Sequence, residues 1–186
     1  MNWIDTPLLV YSRVEGHPAQ RLVSEALERE QWASSVLALL EVYQALRVDY
    51  GFAPSVAGWQ VEALAASPID WVEVDIQQAR TIAKHRRDHG LGGPDAALFM
   101  LCAEDRGVLF TLDSRLLRVA REQGLVVSTL INRSVMDDVV EWEEQNLPQR
   151  GLPRLLRSVK TWIEGENPGL ASRFIEASSG LTRLPV

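Results

Sequence analysis

Residues 93–117 read GPDAALFMLCAEDRGVLFTLDSRLL, and this stretch decides the fold. Pro94 suits the first turn of a helix, the apolar run Ala96 to Ala103 supplies a buried body, and Gly107 offers a stop. Val108 to Leu112 then reads as a short buried strand, with Asp113 placed where the next helix begins. Helix, strand and helix in immediate succession are the repeat of an α/β fold, and the same alternation continues outward on both sides. Strands are expected at Trp3 to Asp5, Gln31 to Ser34, Ile69 to Val74, Val108 to Leu112 and Val126 to Leu130. Helices are expected over 18–30, 35–50, 54–66, 76–89, 94–106 and 114–124. Pro18 and Pro54 mark further starts, and Gly51, Gly90 and Gly124 further stops, giving a largely parallel central sheet flanked by helices.

The alternation ends at Asn132. An acidic amphipathic stretch, Asp137 to Glu144, leads through LPQRGLP (147–153) to a basic helix-like stretch from Arg154 to Glu164. There, Leu152, Leu155, Leu156, Val159 and Ile163 make an apolar stripe beside Arg150, Arg154, Arg157 and Lys160. The chain therefore divides into an α/β domain, 1–131, and a helical C-terminal extension, 132–186, packed on the domain or at an interface. Trp142 and Trp162 lie in that extension, as intramolecular packing or as interface anchors.

The 186 residues suffice for one domain with a sizeable core, and 46% hydrophobic with 24% charged residues is the composition of a globular chain. A net charge of -6 excludes polyanion binding by bulk positive charge, so any nucleic-acid contact must be local. Cys102 is the only cysteine, which rules out an intrachain disulfide framework and suits a reducing cytoplasm. The N-terminal apolar stretch Leu8 to Tyr11 is too short for a signal-peptide core, and Ala96 to Ala103 falls far short of the roughly 20 residues that span a bilayer. A cytoplasmic protein without a membrane segment is expected.

Four carboxylates interrupt segments that are otherwise apolar or turn-forming: Asp5, Glu41, Asp95 and Asp113. Each costs desolvation unless something compensates. Asp5 and Asp113 fall at the carboxyl ends of strands, the edge where open parallel sheets bind ligands. Glu41 lies in the second turn of the helix leaving the strand at 31–34. Asp95 opens the helix that descends along the sheet before Val108, so all four can meet at one edge. Taken singly, Asp5 also suits a turn ahead of a Thr6 cap with Pro7 at N1, Asp95 and Asp113 suit helix N-termini, and Glu41 a solvated face. Taken together they repel, and a divalent cation removes the penalty. All-oxygen ligation selects Mg²⁺ or Mn²⁺, and such a site hydrolyses phosphate esters by activating water and stabilising the leaving oxygen.

The motifs DTPLLVY (5–11), LLEVYQAL (39–46), GGPDAALFMLCAEDRG (92–107) and FTLDSRLLRVAREQGL (110–125), in this order, resemble those of the PIN-domain ribonucleases, especially the VapC-type toxins. The resemblance covers about residues 2 to 131. It implies a Rossmann-like sandwich in which Asp5, Glu41, Asp95 and Asp113 hold Mg²⁺ or Mn²⁺ and cleave single-stranded or looped RNA. It further implies that Thr111 hydrogen-bonds within the acidic cluster, that Thr6 helps to orient Asp5, and that a cognate antitoxin and a second copy of the chain are partners. Where members often carry another acidic residue two positions after the fourth, this chain has Arg115. The alternative to a toxin-like endoribonuclease is a PIN-like RNA-binding or assembly module with weak turnover.

Arg80, Lys84 and Arg87 form one helical stripe ending near the Gly90 to Pro94 loop, either a phosphate rail feeding the site or a solvated face at a helix C-terminus. His85 and His89 have metal-pair spacing, but Arg86 stands where HExxH has its glutamate and no third ligand is evident. Cys102 reads as core. The GLGG turn lacks GxGxxG spacing, and neither a Walker A nor a GxSxG motif occurs. A haloacid-dehalogenase-like site needs a second aspartate at position 7, which is Pro.

Overall fold

The computed structural model describes residues 1–148, 156, 159–160, 162–163 and 167–178. Five short strands, β1 (Asn2–Ile4), β2 (Trp32–Ser35), β3 (Asp70–Val72), β4 (Val108–Phe110) and β5 (Val126–Ser128), form one sheet in the order β3-β2-β1-β4-β5. Every neighbouring pair is parallel, with Trp3 opposite Ala33 on one side and Leu109 on the other. Parallel pairing obliges the chain to cross over between strands, and helices do this. They are α1 (Thr6–Tyr11), α2 (Gln20–Arg29), α3 (Val36–Val48), α4 (Pro54–Ala65), α5 (Ile76–His89), α6 (Gly93–Asp105) and α7 (Ser114–Glu122); α8 (Arg133–Asn146) and α9 (Pro168–Ser178) follow the last strand.

Because side chains alternate along a strand, adjacent residues of β1 feed different cores. Ile4 joins Leu8, Val42 and Leu46 on one face, whereas Trp3 joins Ala33, Leu109 and the body of α6 on the other. All seven residues from Ala96 to Cys102 are buried, so α6 is enclosed on every side, as a helix apolar all round must be. The result is a Rossmann-like α/β sandwich, as the sequence indicates.

The expected elements recur with shortened strands, and the differences have local causes. Asp5 and Asp113 lie just past β1 and β4 as the N-caps of α1 and α7, each accepting a hydrogen bond from a helix N–H. Helix α1 is not among the helices placed from the sequence, because Leu8 to Tyr11 is too uniformly apolar to show a period; the start at Pro7 is present as a local signal, but Asp5 rather than Thr6 is the cap. Gly90 ends α5 in the left-handed region at φ 67°. Gly107 does not end α6. Arg106 adopts the left-handed conformation, φ 53°, and Gly107 serves a close approach, since a Cβ there would collide with the Trp3 ring.

Helix α8 covers the predicted acidic stretch and buries Val139 against the Ile4 core, with Val135, Met136 and Trp142 packed beside it. Trp142 sits on His17 and Tyr50, with ring centroids 5.1 and 6.3 Å away, so it packs within the chain. Trp162 is exposed. The basic stretch from Arg154 to Glu164, with its apolar stripe, lies largely outside the described residues. Among the described residues, no helix is long and apolar enough to cross a membrane.

Candidate active site

Asp5 stands where the sheet order turns. Strand β1 has β2 on one side and β4 on the other, and the crevice at the carboxyl ends of such a switch point is where open α/β sheets hold ligands. The Asp5 N–H donates to the Phe110 carbonyl at 3.0 Å, tying the ends of β1 and β4 together. Its Oδ1 accepts from the Thr6 N–H at 2.7 Å and its Oδ2 from the Thr111 hydroxyl at 2.5 Å. Thr111 Oγ1 in turn accepts from the Asp113 N–H at 3.0 Å, which commits the hydroxyl proton to Asp5. One threonine thus couples two carboxylate-bearing turns.

The other carboxylates arrive from three helices. Glu41 projects from α3 and accepts from the Thr6 hydroxyl at 2.8 Å. Asp95, in the first turn of α6, accepts from the Gly92 N–H at 3.2 Å, and Asp113 Oδ1 accepts from the Leu116 N–H at 2.7 Å. Thr6 therefore orients Asp5 with its backbone and Glu41 with its side chain. All four carboxylates line one cleft of about 660 Å³.

Burial dominates the electrostatics. Asp5 is 2% exposed, and desolvation, opposed by the Thr111 bond and reinforced by Asp95 and Glu41, pushes its carboxyl up to about 7. Glu41 is raised by desolvation and by Asp95, against the Thr6 bond. Asp95 is raised by desolvation and by Asp113, against Gly92 and Arg115. Such a site favours protons or a cation.

Its donor set, carboxylate oxygen throughout, has the chemistry of a Mg²⁺ or Mn²⁺ site. In Glu41, Asp95 and Asp113 one oxygen is fixed by a donor, while the other accepts no hydrogen bond among the described residues. As the side chains lie, no group of three His, Cys, Asp or Glu among the described residues forms a ready metal cage.

Arg115 is exposed and donates to the Gly90 carbonyl at 2.7 Å, bracing the turn before Asp95. Arg80, Lys84 and Arg87 are exposed on α5, and none of them lines the carboxylate cleft. Arg87 borders a neighbouring depression with Arg86 and Gly93, and pairs with Asp88 at 2.9 Å. His85 and His89 stack at 5.6 Å and pack on Phe99. Cys102 is fully buried, and desolvation pushes its thiol up to about 12, so it is inert core.

The cleft is also lined by Tyr11, at the end of the first motif, and by three residues outside the motifs, Asp49, Tyr50 and Glu143. Glu143 reads in the sequence as one more charge on an acidic helix, and only the docking of α8 brings it to the cleft.

A parallel α/β sandwich with four carboxylates around its switch point defines a Rossmann-like protein with an acidic ligand site. The chain belongs to the PIN domain family, whose family model matches residues 3–122. The family comprises nucleases that generally use divalent metal ions. No curated protein matches the chain as a relative. Solved structures similar to it include a toxin-antitoxin complex from Klebsiella pneumoniae, at 20% identity and TM-score 0.48 over 71% of this chain and 99% of that one. Another is VapBC2 from Rickettsia felis bound to a DNA fragment from its promoter, at 10% identity and TM-score 0.51 over 69% and 97%.

Proposed function

We propose that the protein is a VapC-type endoribonuclease that hydrolyses RNA phosphodiester bonds, with Asp5, Glu41, Asp95 and Asp113 holding Mg²⁺ or Mn²⁺. The observation that carries this reading is the convergence of the four carboxylates on one cleft at the switch point, with Asp5 buried and bonded on both oxygens. A cation held by Asp5, Glu41, Asp95 and Asp113 would supply acidification of an attacking water and charge neutralisation at the leaving oxygen. The chain's own part is orientation. Thr111 and Thr6 hold Asp5 and Glu41, the N-terminal amides of α6 and α7 hold Asp95 and Asp113, and the raised carboxyls release their protons when a cation displaces them. Arg80, Lys84 and Arg87 are proposed to meet RNA phosphates outside the cleft.

The remainder of the reading is a cytoplasmic toxin that acts on RNA, pairs with a cognate antitoxin protein and forms a homodimer. Its catalytic unit is residues 1–131, with 132–186 as a helical extension that serves to cover the domain or an interface. The similarity to VapBC2 from Rickettsia felis supports that partnership by analogy of fold. The test is cleavage of single-stranded RNA by dialysed protein with and without Mn²⁺, beside Asp95→Asn. Cleavage that requires Mn²⁺ and fails in the variant supports the assignment. Equal cleavage by Asp95→Asn refutes it, and RNA binding without cleavage leaves a binding module.

A further inference from the structure

One divalent cation offsets only half the charge of four carboxylates, so a phosphodiester approaching the cleft still meets net negative charge. With a net charge of -6 the chain has no bulk positive field to draw RNA in, and the offset must come from cations fixed beside the site. The Gly90 to Gly93 loop, which delivers Asp95, has an arginine at each end. At Gly90, the Arg115 guanidinium lies over the glycine and donates through Nη1 to its carbonyl at 2.7 Å. Its Nε and Nη2 donate to nothing among the described residues, and it stands close enough to Asp95 to favour the ionised carboxylate. At Gly93, Arg86 borders the depression whose floor is Ala79, Ile82 and Ala83. Arg86 is exposed and makes no hydrogen bond or ion pair among the described residues. The macrodipole also favours a cation in the last turn of α5. A side chain kept there to cap the helix would engage its terminal carbonyls, and Arg86 engages none among the described residues.

We propose that Arg115 and Arg86 form a phosphate bracket: the RNA strand leaves the carboxylate cleft across the Gly90 to Gly93 loop, and successive phosphodiesters beside the cleaved one meet Arg115 and then Arg86. The inference rests on the nuclease reading above and names the path that the substrate takes. A guanidinium presents paired N–H groups that match two phosphate oxygens, and Arg115 arrives already oriented by its bond to Gly90. The floor of the depression carries no side-chain donor or acceptor for a base edge, so the bracket holds the backbone whatever the sequence. Both arginines are positioning residues, which set where the strand lies over Asp95.

The test measures anisotropy of a labelled single-stranded RNA with the full-length chain in Ca²⁺, which carboxylates also bind, over a range of salt concentrations, and cleavage of the same RNA in Mn²⁺. Each phosphate contact on a single strand contributes about 0.7 to the slope of log affinity against log salt, so Arg86→Gln with Arg115→Gln should make it shallower by about 1.4. Affinity at low salt should fall about tenfold, and KM should rise more than kcat falls. The control, Arg29→Gln with Arg106→Gln, removes equal charge just ahead of β2 and β4, at the opposite edge of the sheet, and should leave the slope unchanged. If the first pair does not fold, Arg86→Gln alone carries the test, with a slope shallower by about 0.7, because it removes no bond within the described residues. Equal slope changes in the two pairs, a lowered kcat with slope and KM intact, or no binding by the wild type overturns the bracket. If the wild type binds but cleaves nothing, the nuclease reading fails by itself, and the slopes still decide the bracket.

Discussion

Replacing Asp5 by asparagine should stabilise the metal-free protein at alkaline pH and destabilise it slightly at acid pH. Burial pushes the Asp5 carboxyl from 3.8 up to about 7. Between those values the folded state binds more protons than the unfolded state, so the contribution of Asp5 to stability falls as pH rises through that window. Above it, an ionised Asp5 costs the fold about 4 kcal/mol, an upper bound because neighbours relax. Asparagine keeps the oxygen that accepts from Thr6 but offers an NH₂ to Thr111, whose hydroxyl must then find another acceptor, a loss of about 1 kcal/mol. The difference predicts Asp5→Asn more stable than wild type by about 3 kcal/mol near pH 8 and less stable by about 1 kcal/mol near pH 3, below the unfolded pKa, with the two proteins about equal near pH 4.5. Urea denaturation in EDTA at the two pH values measures it. Glu41, Asp95 and His17 titrate in both proteins and largely cancel in the comparison. A stability difference that is the same at both pH values would refute the reasoning, because a mere loss of packing does not titrate.

Thr111→Val preserves shape and removes the donor to Asp5, so it should weaken Mn²⁺ binding, most at low pH where protons compete; thermal shift against Mn²⁺ concentration at several pH values reads this. Changing Arg80, Lys84 and Arg87 together to Gln should flatten the salt dependence of RNA binding, and an unaltered slope would make them a solvated face. Trp142→Ala should cost about 2–3 kcal/mol in urea denaturation, less than a fully buried tryptophan because this one is half-buried; a neutral result would mean that α8 does not pack on His17.

What was legible in the sequence was whatever a local rule enforces. The helix at 76–89 ends where Gly90 can turn left-handed, and the strand after Gly107 is set by the apolar run before it, so both were readable from composition and punctuation. The four carboxylates were readable because an ionisable group inside an apolar segment is costly enough to need a reason. What escaped is of another kind. Helix α1 hid because Leu8, Leu9, Val10 and Tyr11 are buried on all sides, and a segment without a polar face has no period. Arg106 took the position expected of Gly107 because the glycine was needed against Trp3, a contact between residues more than a hundred positions apart. Glu143 and Tyr50 escaped for the same reason. Neither is anomalous among its neighbours, and each reaches the cleft through a helix or loop docked from elsewhere in the chain. Groups that carry a local desolvation penalty announce themselves, whereas residues that only line a cleft carry no such penalty and are placed by the packing of the elements that bear them. The chemistry of such a site is therefore easier to read from sequence than the full lining of its cleft.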